Sequence, residues 1–401
     1  MPTRISLTFT LIFLAVAIAF GLACQTVVMR TPIAEADTHP SPTPANAADQ
    51  ITIAAVGDIM MGSTSINETF LPPNDGRDML KEVTPILSSA DITFGNLEGP
   101  MLEGGKTEKC PDTSAKKQGD AYAVPTPAPT PTPAKLGPVK KPIPCFAFRV
   151  PTRYGQYLKD AGFDVMNLAN NHAGDFGANG RESTRRVLDS LGIKYAGGDK
   201  DKFSTAYLEV KGMTVAVIGF DHNAVSPNVN DLDEARALVT AAKKKAQIVI
   251  VSFHGGSEGE GAQHVLRQTE MLGSEKRGNL PLFAHTVIDA GADLVLGHGP
   301  HVLRGMEMYK GHLIVYSMGN FATYGMFGLK GATALTAIFE ITLNRDGSFA
   351  GGKIIPAKQI GRGGPVLDDT GAAIRKLQEL SVTDFGASAP AITDVGNIST
   401  R

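Results

Sequence analysis

Residues 5–23 form an almost unbroken apolar run behind Arg4, interrupted only by Ser6, Thr8, Thr10 and Gly21, and no acidic residue precedes Glu35. A cationic end followed by such a run has the pattern of an export signal and is set apart from the fold. Gly21-Leu22-Ala23-Cys24 closes the run with small residues before a cysteine. This end fits a bacterial lipobox, with Gly21 where Leu is usual, and makes Cys24 the candidate lipidation site. An uncleaved N-terminal anchor, since the run is just long enough to span a bilayer, or soluble secretion is the alternative. Either reading puts the body outside the cytoplasm.

From residue 51 onwards short apolar runs alternate with segments of helical spacing. Strands are expected at 51–56, 91–94, 163–168, 206–209, 214–219, 248–253, 294–296 and 313–317. Helices are expected at 152–161, 179–191, 232–246 and near 281–290. Runs such as 248–253 carry no polar alternation, which marks strands buried on both faces. Residues 332–343 and 348–356 read as an antiparallel pair around the tight turn Asn344-Arg345-Asp346-Gly347. The fold class is α/β: two stacked mixed β-sheets flanked by helices, a four-layer sandwich.

Two stretches break this pattern. Residues 25–50 are rich in Pro, Ala, Thr and Asp, with Pro40, Pro42 and Pro44 alternating, and read as a disordered tether. Residues 124–144 contain eight prolines and read as extended polyproline II. Chemical motifs lie on both sides, so residues 104–144 are expected to be an insertion within one domain, 51–360, followed by a C-terminal helix and tail, 361–401. Cys110 and Cys145 flank the insertion, and in an oxidising compartment they could close its base as a disulfide; two free thiols are the alternative.

Charge narrows the function. Lys and Arg number 38 against 40 Asp and Glu, a net of −2. No basic face is implied, so nucleic acid is not an expected partner. Three cysteines are too few for a disulfide scaffold and show no zinc spacing.

Polar residues collect where strands end. These are Asp58; Asn96 and Glu98; Asn170, Asn171 and His172, with Asp175 close behind; His254 and Glu258; His298 and His301; and Ser317 and Asn320. In α/β folds the carboxyl ends of strands face a common crevice, so these groups could converge. Singly, each could be a turn residue, a helix cap or a core histidine. Together they form a mixed oxygen and nitrogen set suited to one or two divalent ions, Mn, Fe or Zn. His222, His264, His285 and His312 lack comparable neighbours and are read as ordinary histidines. No P-loop or H-E-x-x-H helix competes.

Six ordered strings resemble the CapA family of capsule-synthesis, or poly-γ-glutamate biosynthesis, proteins. They are Ala55-Val56-Gly57-Asp58, Gly95-Asn96-Leu97-Glu98, Asn167-Leu168-Ala169-Asn170-Asn171-His172 with Asp175 and Gly177, Ser252-Phe253-His254-Gly255-Gly256, Gly297-His298-Gly299-Pro300-His301-Val302, and Tyr316-Ser317-Met318-Gly319-Asn320-Phe321. The family is similar to a branch of the calcineurin-like metallophosphoesterases. The resemblance implies Asp58 as a first metal ligand and Glu98 where that superfamily has a bridging Asp. It implies Asn171 and His254 as further ligands, with His298 and His301 sharing the last motif. His172, with Asp175 nearby, would be the acid that protonates a leaving oxygen. Asn96, Asn170, Glu258 and Asn320 are candidate substrate contacts. Two departures stand out: Ile59 and Met60 follow Asp58 where the superfamily has D-x-H, and Gly299 stands where many family members have His.

The implied activity is hydrolysis by metal-activated water in the synthesis, attachment or release of an anionic extracellular polymer. The alternative is a non-catalytic subunit that binds the polymer and passes it to membrane synthase subunits. A membrane-held location, by lipid or N-terminal anchor, accompanies both.

Overall fold

The computed structural model describes residues 49–65, 70–110, 146–325 and 328–401. Three successive runs of chain build two sheets. In the first run, β1 (Gln50–Met60), α1 (Thr84–Leu87), β2 (Ile92–Leu97), α2 (Tyr154–Asp160), β3 (Val165–Asn167), α3 (Gly177–Leu191) and β4 (Lys194–Ala196) alternate strand with helix. Strands β1 to β4 lie side by side in parallel.

The second run holds β5 (Thr205–Val210), β6 (Met213–Phe220), α4 (Leu232–Lys243), β7 (Ile248–His254), the short hairpin β8 (Met271–Leu272) and β9 (Glu275–Lys276), α5 (Leu280–Asp289), β10 (Leu294–His298), β11 (Met306–Tyr309) and β12 (His312–Val315). It makes a six-stranded sheet in the order β11-β12-β10-β7-β6-β5. The inner strands are parallel and only the two edge strands run antiparallel to their neighbours.

The chain then returns to the first sheet through β13 (Asn320–Thr323), β14 (Leu335–Asn344), β15 (Phe349–Gln359), β16 (Pro365–Leu367), α6 (Ala372–Phe385), β17 (Ala391–Ile392) and β18 (Asn397–Ser399). These complete a ten-stranded mixed sheet. The expected turn at 344–347 is present, with β14 and β15 paired antiparallel across it.

Alternation along β1 shows why the strands read as continuous apolar runs. Ile51, Ile53 and Ala55 face the core between the sheets, against Val215, Val217, Ile248, Ile250 and Leu296 of the other sheet. Ala54 and Val56 point outward to Tyr154 and Leu158 of α2 and Leu188 of α3. The six-stranded sheet repeats this on its own outer face, where Ile218, Val249, Val251 and Val295 meet Val239 of α4 and Phe283 and Val287 of α5. Helix, sheet, sheet, helix is the expected four-layer order, with both faces of each central strand buried.

Some expectations are corrected. The segment 361–401 contains the expected helix, but its remainder is not a tail. Strands β16 and β18 pair with β15, and Ala373, Ile374 and Leu377 of α6 enter the inter-sheet core. Strand β1 does not stop at Val56: it runs to Met60, and residues 58–60 pair in parallel with β13. Gly57 permits this, since a Cβ there would stand 1.9 Å from the Gly319 carbonyl oxygen. Strands β4, β11, β13 and β16 to β18 are too short to show a period of two. Residues 1–48, with the apolar run, Cys24 and the tether, and residues 111–145, with most of the insertion and Cys145, lie outside the described residues. Among the described residues no helix is long and apolar enough to cross a membrane.

Candidate metal centre

Register, more than any single strand, assembles the site. Asp58 in β1 pairs with Asn96 in β2 and Asn320 in β13, while Asn96 pairs with Asn167 in β3. In the second sheet His254 at the end of β7 lies directly opposite His298 at the end of β10. Both sets are parallel strands, so their carboxyl ends meet across the gap between the sheets.

Asp58, Glu98 and His254 each present a ligand atom, and these atoms lie within 4.8 Å of one another in a fully buried cluster. His254 Nε2 is 3.0 Å from Glu98 Oε1. His301 Nδ1 is 2.9 Å from Asp58 Oδ2 and 3.0 Å from Asn320 Oδ1. His298 Nδ1 stands 3.3 Å from Asp58 Oδ1. The His301 backbone has φ 58°, an uncommon left-handed conformation for a side chain of this size. Just before it, Gly299 has φ +114° with the Gly255 backbone 2.6 Å from where a Cβ would be. A histidine at 299 would be strained here, which accounts for Gly at that position in this chain.

Electrostatics mark the cluster as incomplete without a cation. Burial, followed by the Asp58 charge, pushes Glu98 up to about 8. Burial also works against the charges on Asp58 and His301, yet their contact reverses both. The His298 and His301 imidazoles hold Asp58 below the usual carboxylate range, and Glu98 and Asp58 push His301 up to about 10. Burial, reinforced by Arg277, keeps His254 well below its ordinary value and therefore neutral. Glu98 Oε2, Asn171 Oδ1, His254 Nδ1 and both ring nitrogens of His298 are buried without a hydrogen-bond partner. Leaving one such group unpaired costs about 1–3 kcal/mol. Their concentration beside two carboxylates is what a divalent cation would satisfy, and carboxylate, carboxamide and neutral imidazole are suitable donors. The residues therefore fit a divalent metal, held by Asp58, Glu98 and His254 with His298 beside Asp58; Asn171 Oδ1 is a further buried donor atom without a partner.

Beside this cluster, His172 Nδ1 is 2.8 Å from Asp175 Oδ2, and the ring stacks on Phe148 at 4.0 Å. Burial is the main cause that lowers the His172 pKa, so the ring is neutral near pH 7. With Nδ1 bonded to Asp175, the other ring nitrogen is left for proton transfer. A carboxamide relay joins the two parts: Asn96 Nδ2 donates to Asp58 Oδ1, Asn170 Nδ2 donates to Asn96 Oδ1, and the His172 amide donates to Asn170 Oδ1.

That relay revises three of the expected substrate contacts. Asn96, Asn170 and Asn320 are fully buried and their amides are committed to neighbours, so they frame the site. Glu258 is paired with the buried Arg277, whose other bonds run to Gly256 O, Glu275 and His222. Ser317 is buried and donates to Val302 O.

His222, read above as an ordinary histidine, belongs to the site's edge. It stacks against His254 at 6.1 Å, its Nδ1 is buried without a partner, and burial followed by Arg277 lowers its pKa to about 4. Its signal was present in the sequence, since Asp221-His222-Asn223 follows Phe220 at the end of β6 as the other motifs follow theirs. Lys109 and Phe148 carried no comparable signal. By contrast, His264 and His285 pair with Asp384 and Glu307, and His312 with the Asp293 carbonyl, in keeping with the ordinary reading. A cavity of about 930 Å³ opens beside the site, with Lys109, Asn171, His222, Asn223, Asn228 and Lys276 in its lining.

The chain matches the bacterial capsule synthesis protein family PGA_cap over residues 52–124 and 130–324. It belongs to this family. The PGA biosynthesis protein CapA of Bacillus subtilis is 30% identical over 288 residues, covering 68% of this chain and 63% of that protein. The capsule biosynthesis protein CapA of Bacillus anthracis is 30% identical over 292 residues, covering 68% and 60%. This chain thus matches less than two thirds of the length of these CapA relatives. Among solved structures it is similar to the calcineurin-like phosphoesterase YfkN of Bacillus subtilis, at 12% identity and a TM-score of 0.40, covering 82% of this chain and 96% of that one. The matched stretch of this CapA-family chain contains every residue of the cluster, from Asp58 to Asn320.

Proposed function

We propose that this CapA-family chain is an exported metallohydrolase acting on an anionic capsular polymer of the poly-γ-glutamate type, in its synthesis, attachment or release. One observation carries the reading: buried donor atoms without partners gather between Asp58, Glu98 and His254, next to a His172–Asp175 pair. A divalent ion bound there supplies Lewis acidity at a phosphoryl or acyl centre and lowers the pKa of water. Manganese, iron and zinc all suit the donor set. The chain's own residues do the rest. Asp175 orients the His172 ring, and the imidazole, having first taken up a proton at its other nitrogen, gives that proton to the leaving oxygen. Asn171 stands where the cavity meets these groups and holds the reacting segment.

The test is turnover of a phosphodiester, a phosphomonoester and then poly-γ-glutamate with Mn²⁺. Turnover lost in His172→Ala, with metal retained, supports the hydrolase; a wild type that retains no metal removes it.

A second reading is favoured by Ile59 and Met60. Met60, buried, stands where the superfamily's D-x-H histidine would be, and Ile59 packs into the apolar cluster behind β1, so one ligand is missing. A chain that holds one ion and binds polymer without cleaving it, as a subunit of a synthase, meets that observation. Binding of poly-γ-glutamate without turnover supports this reading over the first. Membrane attachment rests on the sequence of residues 4–24. Incorporation of labelled fatty acid that is lost in Cys24→Ala supports the lipoprotein, and its absence in the wild type leaves the anchor.

A further inference from the structure

The two flanks of the proline-rich insertion converge on the His172–Asp175 pair. From the first flank, Thr107 Oγ1 and the Glu108 amide both donate to the Asp175 carbonyl, at 2.7 and 3.0 Å. The Lys109 ammonium lies 3.1 Å from Asp175 Oδ1, 3.3 Å from His172 Nδ1 and 3.3 Å from the Asn171 carbonyl. From the second flank, the Phe148 amide donates to Asp175 Oδ2 at 2.7 Å and the Phe148 ring covers the imidazole. Asp175 is fully buried: Oδ2 is held by the Phe148 amide and the His172 ring, while Oδ1 completes no hydrogen bond and has the Lys109 ammonium as its neighbouring charge. Cys110, the residue after Lys109, is disulfide-bonded. The expected partner, Cys145, lies outside the described residues.

We propose that Lys109 is a positioning residue of the site, set against Asp175 and His172 by the disulfide of Cys110, so that the insertion makes the site dependent on an oxidising environment. A lysine on a four-carbon stem loses much rotamer freedom when its ammonium is held in one place. A crosslink at the next residue removes part of that freedom beforehand. With the ammonium in place, the buried Asp175 carboxylate keeps a cation against Oδ1 while Oδ2 faces the imidazole. It then stays directed at Nδ1 and fixes the ring. Without it, an incompletely paired buried carboxylate is expected to pull in water or turn away, and the ring loses its orientation. Only Lys109 among the described residues brings an ammonium to this carboxylate.

The test is the rate at which diethyl pyrocarbonate modifies His172, followed by mass spectrometry on the exported form, with exposed His264 as internal control. Lys109→Met and mildly reduced wild type should both react several-fold faster at His172 than oxidised wild type, with His264 unchanged. Lys109→Arg should stay close to the wild-type rate. Reduction should add nothing in Lys109→Met. Equal His172 rates in oxidised wild type and Lys109→Met overturn the proposal. So does a reduction effect of the same size in both. Mild reduction of folded protein serves if Cys110→Ser does not fold.

A second arm rests on the hydrolase reading. There, kcat should fall about tenfold in Lys109→Met with KM little changed, and Lys109→Arg should recover most of it. Absence of turnover with the labelling pattern intact counts against the hydrolase alone.

Discussion

Two buried polar clusters lie within a short stretch of this chain, and they are built on opposite principles. Arg304 is fully buried, and its guanidinium bonds both oxygens of Glu270 at 2.8 Å, the Ala262 carbonyl at 2.7 Å and the Ser257 carbonyl at 3.3 Å. The planar fork has a partner in every direction, as Arg geometry allows. Six residues earlier, His298 is equally buried and neither of its ring nitrogens completes a hydrogen bond. Glu98 and His254 share that condition at one atom each. A satisfied cluster pins loops together; an unsatisfied one awaits a ligand. Burial alone does not separate the two, but the accounting of donors and acceptors does.

The largest expected effect comes from the satisfied side. Glu270→Ala leaves Arg304 charged, buried and unpaired, and should cost about 3–5 kcal/mol in denaturant unfolding, whether or not metal is present. Glu98→Gln, on the unsatisfied side, should behave in the opposite way. Glu98 is raised to about 8, so Gln imitates its neutral form near pH 7. Stability of the metal-free protein should change by less than about 1 kcal/mol. Metal content by elemental analysis should drop to background. The stabilisation by added metal, about 2.7 kcal/mol at 100-fold above Kd, should vanish from thermal melts. If both substitutions unfold the protein alike, the distinction between the clusters is wrong.

Asp221 tests the accounting at an intermediate scale. Burial is the main cause that pushes its carboxyl up to about 7, and Oδ2 has no partner. A carboxyl whose folded pKa is raised contributes stability that is complete below its unfolded value near 4 and is lost as pH rises through 7. Asp221→Asn should therefore raise stability at pH 8, by at most about 4 kcal/mol, and leave it little changed at pH 4. Urea unfolding at the two pH values checks the sign, and a larger gain at pH 4 would refute it. Smallest of all is the exposed pair Arg186–Glu182 on α3. Its removal should shift stability by less than about 0.5 kcal/mol and shrink further in salt.

Legibility in the sequence followed local chemistry. The apolar runs of β6, β7 and β10 could be read because burial on both faces suppresses polar alternation. Asp58, Glu98, His172, His254 and His298 were visible as polar residues at strand ends beside glycine or asparagine. Asn96, Asn170 and Asn320 looked the same and proved to be framing residues. The type and position of a carboxamide do not say whether its neighbours already use its donors. Lys109 was silent because no periodicity reaches a residue at the foot of an insertion, and its partners lie more than sixty positions away.

The sequence by itself determined the alternation of strands and helices, the two-sheet class, the family and the residue types available for a metal. It could do so because side-chain periodicity and the glycine-flanked motifs are properties of neighbouring residues. Only the tertiary structure decided which of those residues share one site. The register of β1 with β2 and β13, and of β7 with β10, brings Asp58 and His254 together from separate sheets. Whether a buried atom is satisfied or left without a partner depends on that long-range placement, and on that depends which polar residues hold the fold and which remain for chemistry.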